Sequence, residues 1–178
     1  MRQPDGTQRQ DQDQDEPNHV ELTWRDQGPL FATRADDSGL EYLRAMAAGE
    51  VLRPPVAQAL GIEVVAADPG KVRFSMPAHA FLMNHLGFLA GGIVSTVMDV
   101  ALGCAVLSAV QPDQDIVSVD LKVEFLRPVT AAGAEVVVDA EVVHLGRNRA
   151  LAECRAMDGA GKLVAVGSGN CLIRPKNA

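Results

Sequence analysis

One carboxylate, Asp99, interrupts the most apolar stretch of this chain, and no other feature limits the fold as strongly. The stretch spans 91–110 and opens on a double glycine, Gly91-Gly92. If helical, it carries bulky apolar groups around most of its circumference, so other elements must cover it as a core helix. An ionised carboxylate in a core is costly unless it is paired or hydrogen-bonded. A chain that keeps one there is expected to use it. The run is long enough to cross a bilayer. Asp99, the small polar residues and the absence of basic flanks argue against a membrane span.

The rest of the pattern supplies cover for that helix. Ser38-Gly39-Leu40-Glu41 reads as a capping box opening a helix to about Ala48, with Gly49 as its stop. Pro54-Pro55 starts a second short helix that ends at Gly61. Residues 62–67 and 71–76, on either side of Asp68-Pro69-Gly70, have the signature of a β-hairpin. A loop over 77–90 leads into the apolar helix. After it, 116–126 alternates: Val117, Val119, Leu121, Val123 and Phe125 share one face, and Ser118, Asp120, Lys122 and Glu124 the other. The runs 135–144, 149–157 and 163–173 follow at short spacings, which predicts an antiparallel meander with one buried face. One apolar helix and one curved sheet pair simply, as an α+β domain whose sheet wraps the helix. The expected organisation is a polar, largely disordered tail over 1–37, holding the sole tryptophan, Trp24, and a single domain over 38–178.

Charge and cysteine usage narrow the function. A net charge of −7 and a pI near 5.0 argue against a nucleic-acid partner, though a few arginines can still hold an anionic ligand. Cys104, Cys154 and Cys171 form an odd set without metal-type spacing, which reads as reduced thiols in a cytoplasmic protein with no metal. The N-terminus has no apolar segment of the kind found in secretory signals. There is no phosphate-binding loop, dinucleotide fingerprint or nucleophile elbow, and Gly167-Ser168-Gly169 sits in a strand-like run.

The chemistry-bearing cluster runs from Asn84 to Asp99. Gly91 and Gly92 stand where a helix begins, with free N–H groups and the positive end of the dipole pointing outward. Such a site can hold a carbonyl oxygen that turns anionic during acyl transfer, or the glycines can simply permit a tight turn. Asp99 lies eight positions beyond Gly91, about 12 Å along one helix at ~1.5 Å per residue. That is too far for both to act on one carbonyl carbon. If they cooperate, Asp99 must meet the Gly91 of another chain, and a two-fold pair of helices would give two equivalent sites. Otherwise Asp99 is a structural residue at a helix seam. Asn84 can orient a water or a substrate group, or be a turn residue. His85 reads as surface decoration and Cys104 as packing, since a catalytic thiol needs an activating base. Gly146-Arg147-Asn148-Arg149 places two arginines at a turn. Guanidinium forks suit phosphate, and a solvated hairpin is the plainer reading. Arg127-Pro128 terminates a strand on the same footing.

Taken together, Asn84-x-x-Gly87-x-x-Ala90-Gly91-Gly92 with Asp99, then 117–121, Phe125-Leu126-Arg127-Pro128, Gly146-Arg147 and Asp158-Gly-x-Gly-Lys162, resemble the hotdog-fold acyl-CoA thioesterases of the PaaI-like group. The resemblance covers about residues 54–173. It implies an acyl-CoA substrate in a channel at a homodimer interface, with dimers pairing into a tetramer. Coenzyme A is then part of the substrate, and no separate cofactor is implied. Gly91 N–H would polarise the thioester carbonyl, and Asp99 of the partner chain would act as nucleophile or general base. Asn84 would place the water or the carbonyl, and Ser118 would support the acyl end. The turn at Gly146, Arg147 and Asn148, with Arg127, would meet the coenzyme phosphates. The family usually has His-Gly-Gly where this chain has Ala90-Gly91-Gly92, and Gly103 replaces a hydroxyl residue of some relatives. The expectation is therefore a thioester hydrolase. Its rival is a non-catalytic acyl-CoA binding or sensing protein on the same fold, for which Ala90 is the best support. A hydratase would need a His paired with a carboxylate, and His79 and His85 form no recognisable version of that motif.

Overall fold

The computed structural model describes residues 18–25, 38–130 and 134–176. The expected disordered tail therefore lies outside the described residues, except for 18–25. Gln58 of the second helix clasps the backbone at the end of this segment: Arg25 N–H donates to Oε1 (2.9 Å) and Nε2 donates to Arg25 O (3.2 Å).

The chain order is α1 (Gly39–Ala47), α2 (Pro55–Leu60), β1 (Glu63–Asp68), β2 (Lys71–Pro77), a 3-10 turn (Ala80–Leu82), α3 (Gly91–Leu107), β3 (Gln114–Ser118), β4 (Lys122–Phe125), β5 (Glu135–Leu145), β6 (Arg149–Asp158) and β7 (Leu163–Pro175). The capping box at Ser38 and Glu41 forms in full, and Gly61 takes a left-handed φ of 70° to end α2. All seven strands make one antiparallel sheet in the order β1-β2-β5-β6-β7-β3, with β4 also on β7. The sheet curls around α3.

The core follows from two periodicities. Val94, Val97, Met98, Ala101, Leu102, Ala105 and Val106 repeat at helical spacing on α3 and are buried. They meet the inward residues of alternating strands: Val72, Phe74 and Met76 on β2, Val136, Val138 and Ala140 on β5, and Ala152, Cys154 and Ala156 on β6. Each fully buried Val or Met contributes about 1.5–3 kcal/mol of transfer free energy. The opposite side of α3 stays partly open. Thr96, Asp99, Val100 and Cys104 are only half-buried, so Asp99 is not enclosed in the core as expected; the sheet covers one face of the helix and leaves the other. Among the described residues, no helix is long and apolar enough to cross a membrane.

Two expectations about the strands need correction. Only β5, β6 and β7 form a meander; the first run after the helix pairs with the far side of β7. That run is also not one strand. Ser118 pairs with Cys171 but Lys122 pairs with Ser168, so one extra residue lies between β3 and β4. The Asp120 carboxylate replaces the lost ladder bonds. It accepts from Asn170 N–H (3.0 Å) and from Asn170 Nδ2 (3.2 and 3.0 Å). Gly169 makes room, because a Cβ there would stand 2.8 Å from Asp120 O.

The bulge switches which residues face the helix. Ile116 and Ser118 lie over Gly103 of α3. Beyond the bulge, Leu121 and Val123 pack on the core and the Phe125 ring lies over Gly91. Val117 (45% exposed) and Val119 (50%) therefore face outward, not inward with Val123 as the continuous alternation implied.

α1 docks on the end of α3 with no spare volume. A Cβ on Gly39 would stand 2.2 Å from the backbone oxygen of Leu107. Gly39→Ala is therefore expected to destabilise the domain by roughly 1–3 kcal/mol, as overpacking against a backbone does. Denaturant unfolding measures this, and a change below about 0.5 kcal/mol, the range of ordinary surface substitutions, would contradict it.

Candidate active site

The loop before α3 is built around Asn84. Its Oδ1 accepts from Leu86 N–H (2.9 Å) and Phe88 N–H (3.2 Å), while its backbone N–H donates to Phe88 O (2.7 Å). Gly87 completes the turn with a φ of 74°. Asn84 is thus a turn residue through its oxygen, and its side-chain amide N–H groups make no bond among the described residues. Leu89 N–H to Val129 O (3.0 Å) and Ala90 N–H to Leu82 O (3.1 Å) then tie the loop to the body.

Ala90 offers no side-chain cap to α3. Ile93 and Val94 N–H both reach Ala90 O (2.9 and 3.3 Å), and among the described residues Gly91 and Gly92 N–H have no acceptor. The first turn therefore presents two donors. Gly91 lines a cleft of 330 Å³ together with Asn84, Phe88, Phe125, Arg127 and Val164, among others.

Asp99 stands two turns further on and is not part of that cleft. It has no hydrogen bond or ion pair among the described residues. Its charge adds to burial in holding the nearby Cys104 and Cys171 thiols protonated, and the Ser118 hydroxyl hydrogen-bonds Cys171. The structure thus brings Asn84, Gly91 and Arg127 to one place and Asp99 and Ser118 to another. The Gly146-Arg147-Asn148 turn is a third place, beside the end of β7: Ile173 N–H donates to Asn148 O (3.0 Å) and Gly146 N–H to Arg149 O (2.8 Å). Arg147 and Arg127 are exposed and make no ion pair among the described residues.

The other candidates recede. His79 stacks on Phe81 (5.4 Å between centroids) beside Gly61, and His85 is an exposed turn residue. Burial, and then the charge of Asp99, push the Cys104 thiol up to about 12, so it is no nucleophile at neutral pH. Burial also pushes Cys154 to about 12 and raises Cys171. Iodoacetamide at pH 7 is accordingly expected to label the thiols in denaturant but hardly at all in the native protein. Mass spectrometry decides this, and rapid native labelling of Cys104 would refute it. Among the described residues, no three His, Cys, Asp or Glu side chains converge as a metal site. A wider groove of 1020 Å³ runs over the outer sheet face, and its charges are paired: Lys71–Glu141 (2.7 Å) and Arg73–Asp139 (2.6 Å) across β2 and β5, and Lys122–Glu124 (2.8 Å) along β4. Sequence reasoning did not find Phe88 and Phe125 as cleft walls. The only available signal was that Phe125 falls on an apolar face.

A curled antiparallel sheet around one apolar helix, with a glycine-led helix start opening on a cleft, defines a hotdog-fold protein. The profile of the Thioesterase superfamily matches residues 86–165. A Halobacterium salinarum protein named as an esterase is 35% identical over 125 residues, 64% of this chain and 81% of that one. Human acyl-coenzyme A thioesterase 13 is 32% identical over 107 residues, 60% of this chain and 75% of its own length. A thioesterase family protein of Silicibacter pomeroyi superposes with a TM-score of 0.67 at 30% identity, over 75% of this chain and 99% of that one. The E. coli PaaI protein of the phenylacetic acid degradation operon has the same fold, with a TM-score of 0.66 at 24% identity over 76% of this chain and 95% of its own. This chain belongs to the thioesterase superfamily, and it is a thioester hydrolase.

Proposed function

We propose that this protein hydrolyses acyl-coenzyme A thioesters to a carboxylic acid and free coenzyme A, at sites shared between two copies of the chain. The observation that carries the reading is the N–H group of Gly91, without an acceptor among the described residues, at a largely apolar cleft at the positive end of α3. The thioester oxygen accepts from Gly91 N–H, and the acyl group lies in the cleft. Asn84 donates its free amide N–H to the carbonyl or to the attacking water. Asp99 of a second copy either takes the proton of that water as it adds to the carbonyl carbon, or attacks that carbon itself to form a mixed anhydride that water then hydrolyses; in both routes the thiolate of coenzyme A leaves and takes up a proton. Ser118, turned toward α3 by the bulge, supports the acyl end. Arg147 with its turn neighbours Gly146 and Asn148, and Arg127, bind the coenzyme phosphates.

Two observations support a second copy. Gly91 and Asp99 lie about 12 Å apart along one helix. Val117 on the edge strand β3, Val119 just beyond its end and, on β7 beside it, Leu172 (42%) are exposed, an apolar strip that a two-fold partner would cover. Pairing of such dimers into a tetramer follows from the family resemblance. The three free thiols fit a reducing cytoplasm. The rival, an acyl-CoA binder without turnover, rests on Ala90 in place of the family histidine. The oxyanion donor is a backbone N–H and does not depend on that side chain. Thiol release from short, medium, long and aromatic acyl-CoAs tests the proposal. Tight binding without release of thiol from any of them would favour the binder.

A further inference from the structure

Phe125 stands where hydrolysis at Gly91 would need room. Its ring closes the end of β4 over the first turn of α3. A Cβ built on Gly91 would lie 3.0 Å from Phe125 Cζ and 3.4 Å from Cε1 and Cε2, and these are the three nearest atoms to that position. The Cα–Cβ direction in a helix tilts toward the N-terminus, which is also the side toward which the free first-turn N–H groups point. The ring is therefore beside the amide donors, not behind them.

A carbonyl oxygen accepting from Gly91 N–H sits about 2.9 Å from that nitrogen. Its carbon lies about 1.2 Å beyond the oxygen. The first acyl carbon then comes within van der Waals reach of the ring. Apart from Asn84 and Arg127, the surrounding walls are apolar and include Phe88, Val94, Leu126 and Val164, so bulk weighs heavily in what fits beside the ring. The ring is no part of a sealed core. Phe125 is 55% exposed, and its four-residue strand pairs only with β7.

We propose that Phe125 is the specificity-determining residue for the acyl carbon next to the thioester carbonyl. It admits acyl groups that are unbranched at that carbon and rejects branched ones. The inference rests on the hydrolase reading and on Gly91 as the oxyanion donor. The test compares kcat/KM for a matched pair of acyl-CoAs, straight-chain and 2-methyl-branched, at the chain length the wild type turns over fastest. The wild type is expected to favour the straight ester by roughly tenfold or more, as one misplaced methyl group does in an apolar site. Phe125→Ala is expected to bring the ratio to within about threefold, with Phe125→Leu between the two. Both esters meet the same enzyme sample, so partial misfolding cancels from the ratio. A wild type without preference, or a ratio unmoved in both variants, overturns the assignment alone. A wild type that releases no thiol from any acyl-CoA overturns the hydrolase reading, and this assignment with it.

Discussion

Asp99→Ala is expected to lower kcat/KM for acyl-CoA hydrolysis by about 10³-fold or more, the scale of losing a positioned base or nucleophile. The same change is expected to leave the melting temperature unchanged or to raise it. The two halves follow from one observation: among the described residues, this half-buried carboxylate has no hydrogen bond and no ion pair. Its removal breaks no such contact, and alanine is the better helix former. A structural aspartate at a helix seam would behave in the opposite way, with stability falling first and activity falling with it. Thiol release and thermal unfolding on the same samples separate the cases. A variant that keeps more than a tenth of the activity would remove Asp99 from the chemistry.

The elements of this fold were readable because their signals are local. The capping box at Ser38, the αL glycine at Gly61, the Asp68-Pro69-Gly70 turn and the period-two runs of β5, β6 and β7 each act within a few residues, and each forms where the pattern placed it. What could not be read is non-local. The bulge at 119–121 leaves the apolar alternation of 116–126 intact on paper. It exists because Asp120 finds Asn170 and because Gly169 has no Cβ, on a strand fifty positions away in the chain. Missing it put Ser118 on the outer face with Lys122 and Glu124, when it lies over Gly103 of α3. The placement of β3 and β4 beyond β7 is likewise a choice among edges that periodicity does not rank. In the candidate site, the Asn84 loop and the glycine pair could be read from residue type and spacing. The openness of the Asp99 face could not, because an apolar helix looks the same whether its cover comes from its own sheet or from another molecule. Phe125 was visible only as one more inward apolar residue. Its role depends on the missing side chain at Gly91.

Mixing two inactive chains is expected to restore activity if the site is shared. Gly91→Pro deletes the N–H at the first helical position, where proline is tolerated. Ala90, with a ψ of 133°, already has the backbone that a residue before proline adopts. Gly91→Ala is its control. It adds a Cβ against the Phe125 ring while keeping the amide, so the difference between the two variants isolates the N–H. Gly91→Pro alone is expected to lose about 10²–10³ in kcat, the scale of one oxyanion donor. Asp99→Ala alone is inactive for the reason above. In a mixed dimer, the Asp99→Ala chain supplies Gly91 and the Gly91→Pro chain supplies Asp99, so one of the two sites is whole. Random pairing from equal expression makes about half the dimers mixed, which restores about a quarter of wild-type activity. Separately purified variants, unfolded, combined and refolded together, give the same readout without reliance on expression levels. If each site were built within one chain, every chain in the mixture would carry a damaged site and activity would stay at the level of the single variants. The result therefore decides whether the ~12 Å between Gly91 and Asp99 is bridged by a partner or left as two unrelated features of one helix.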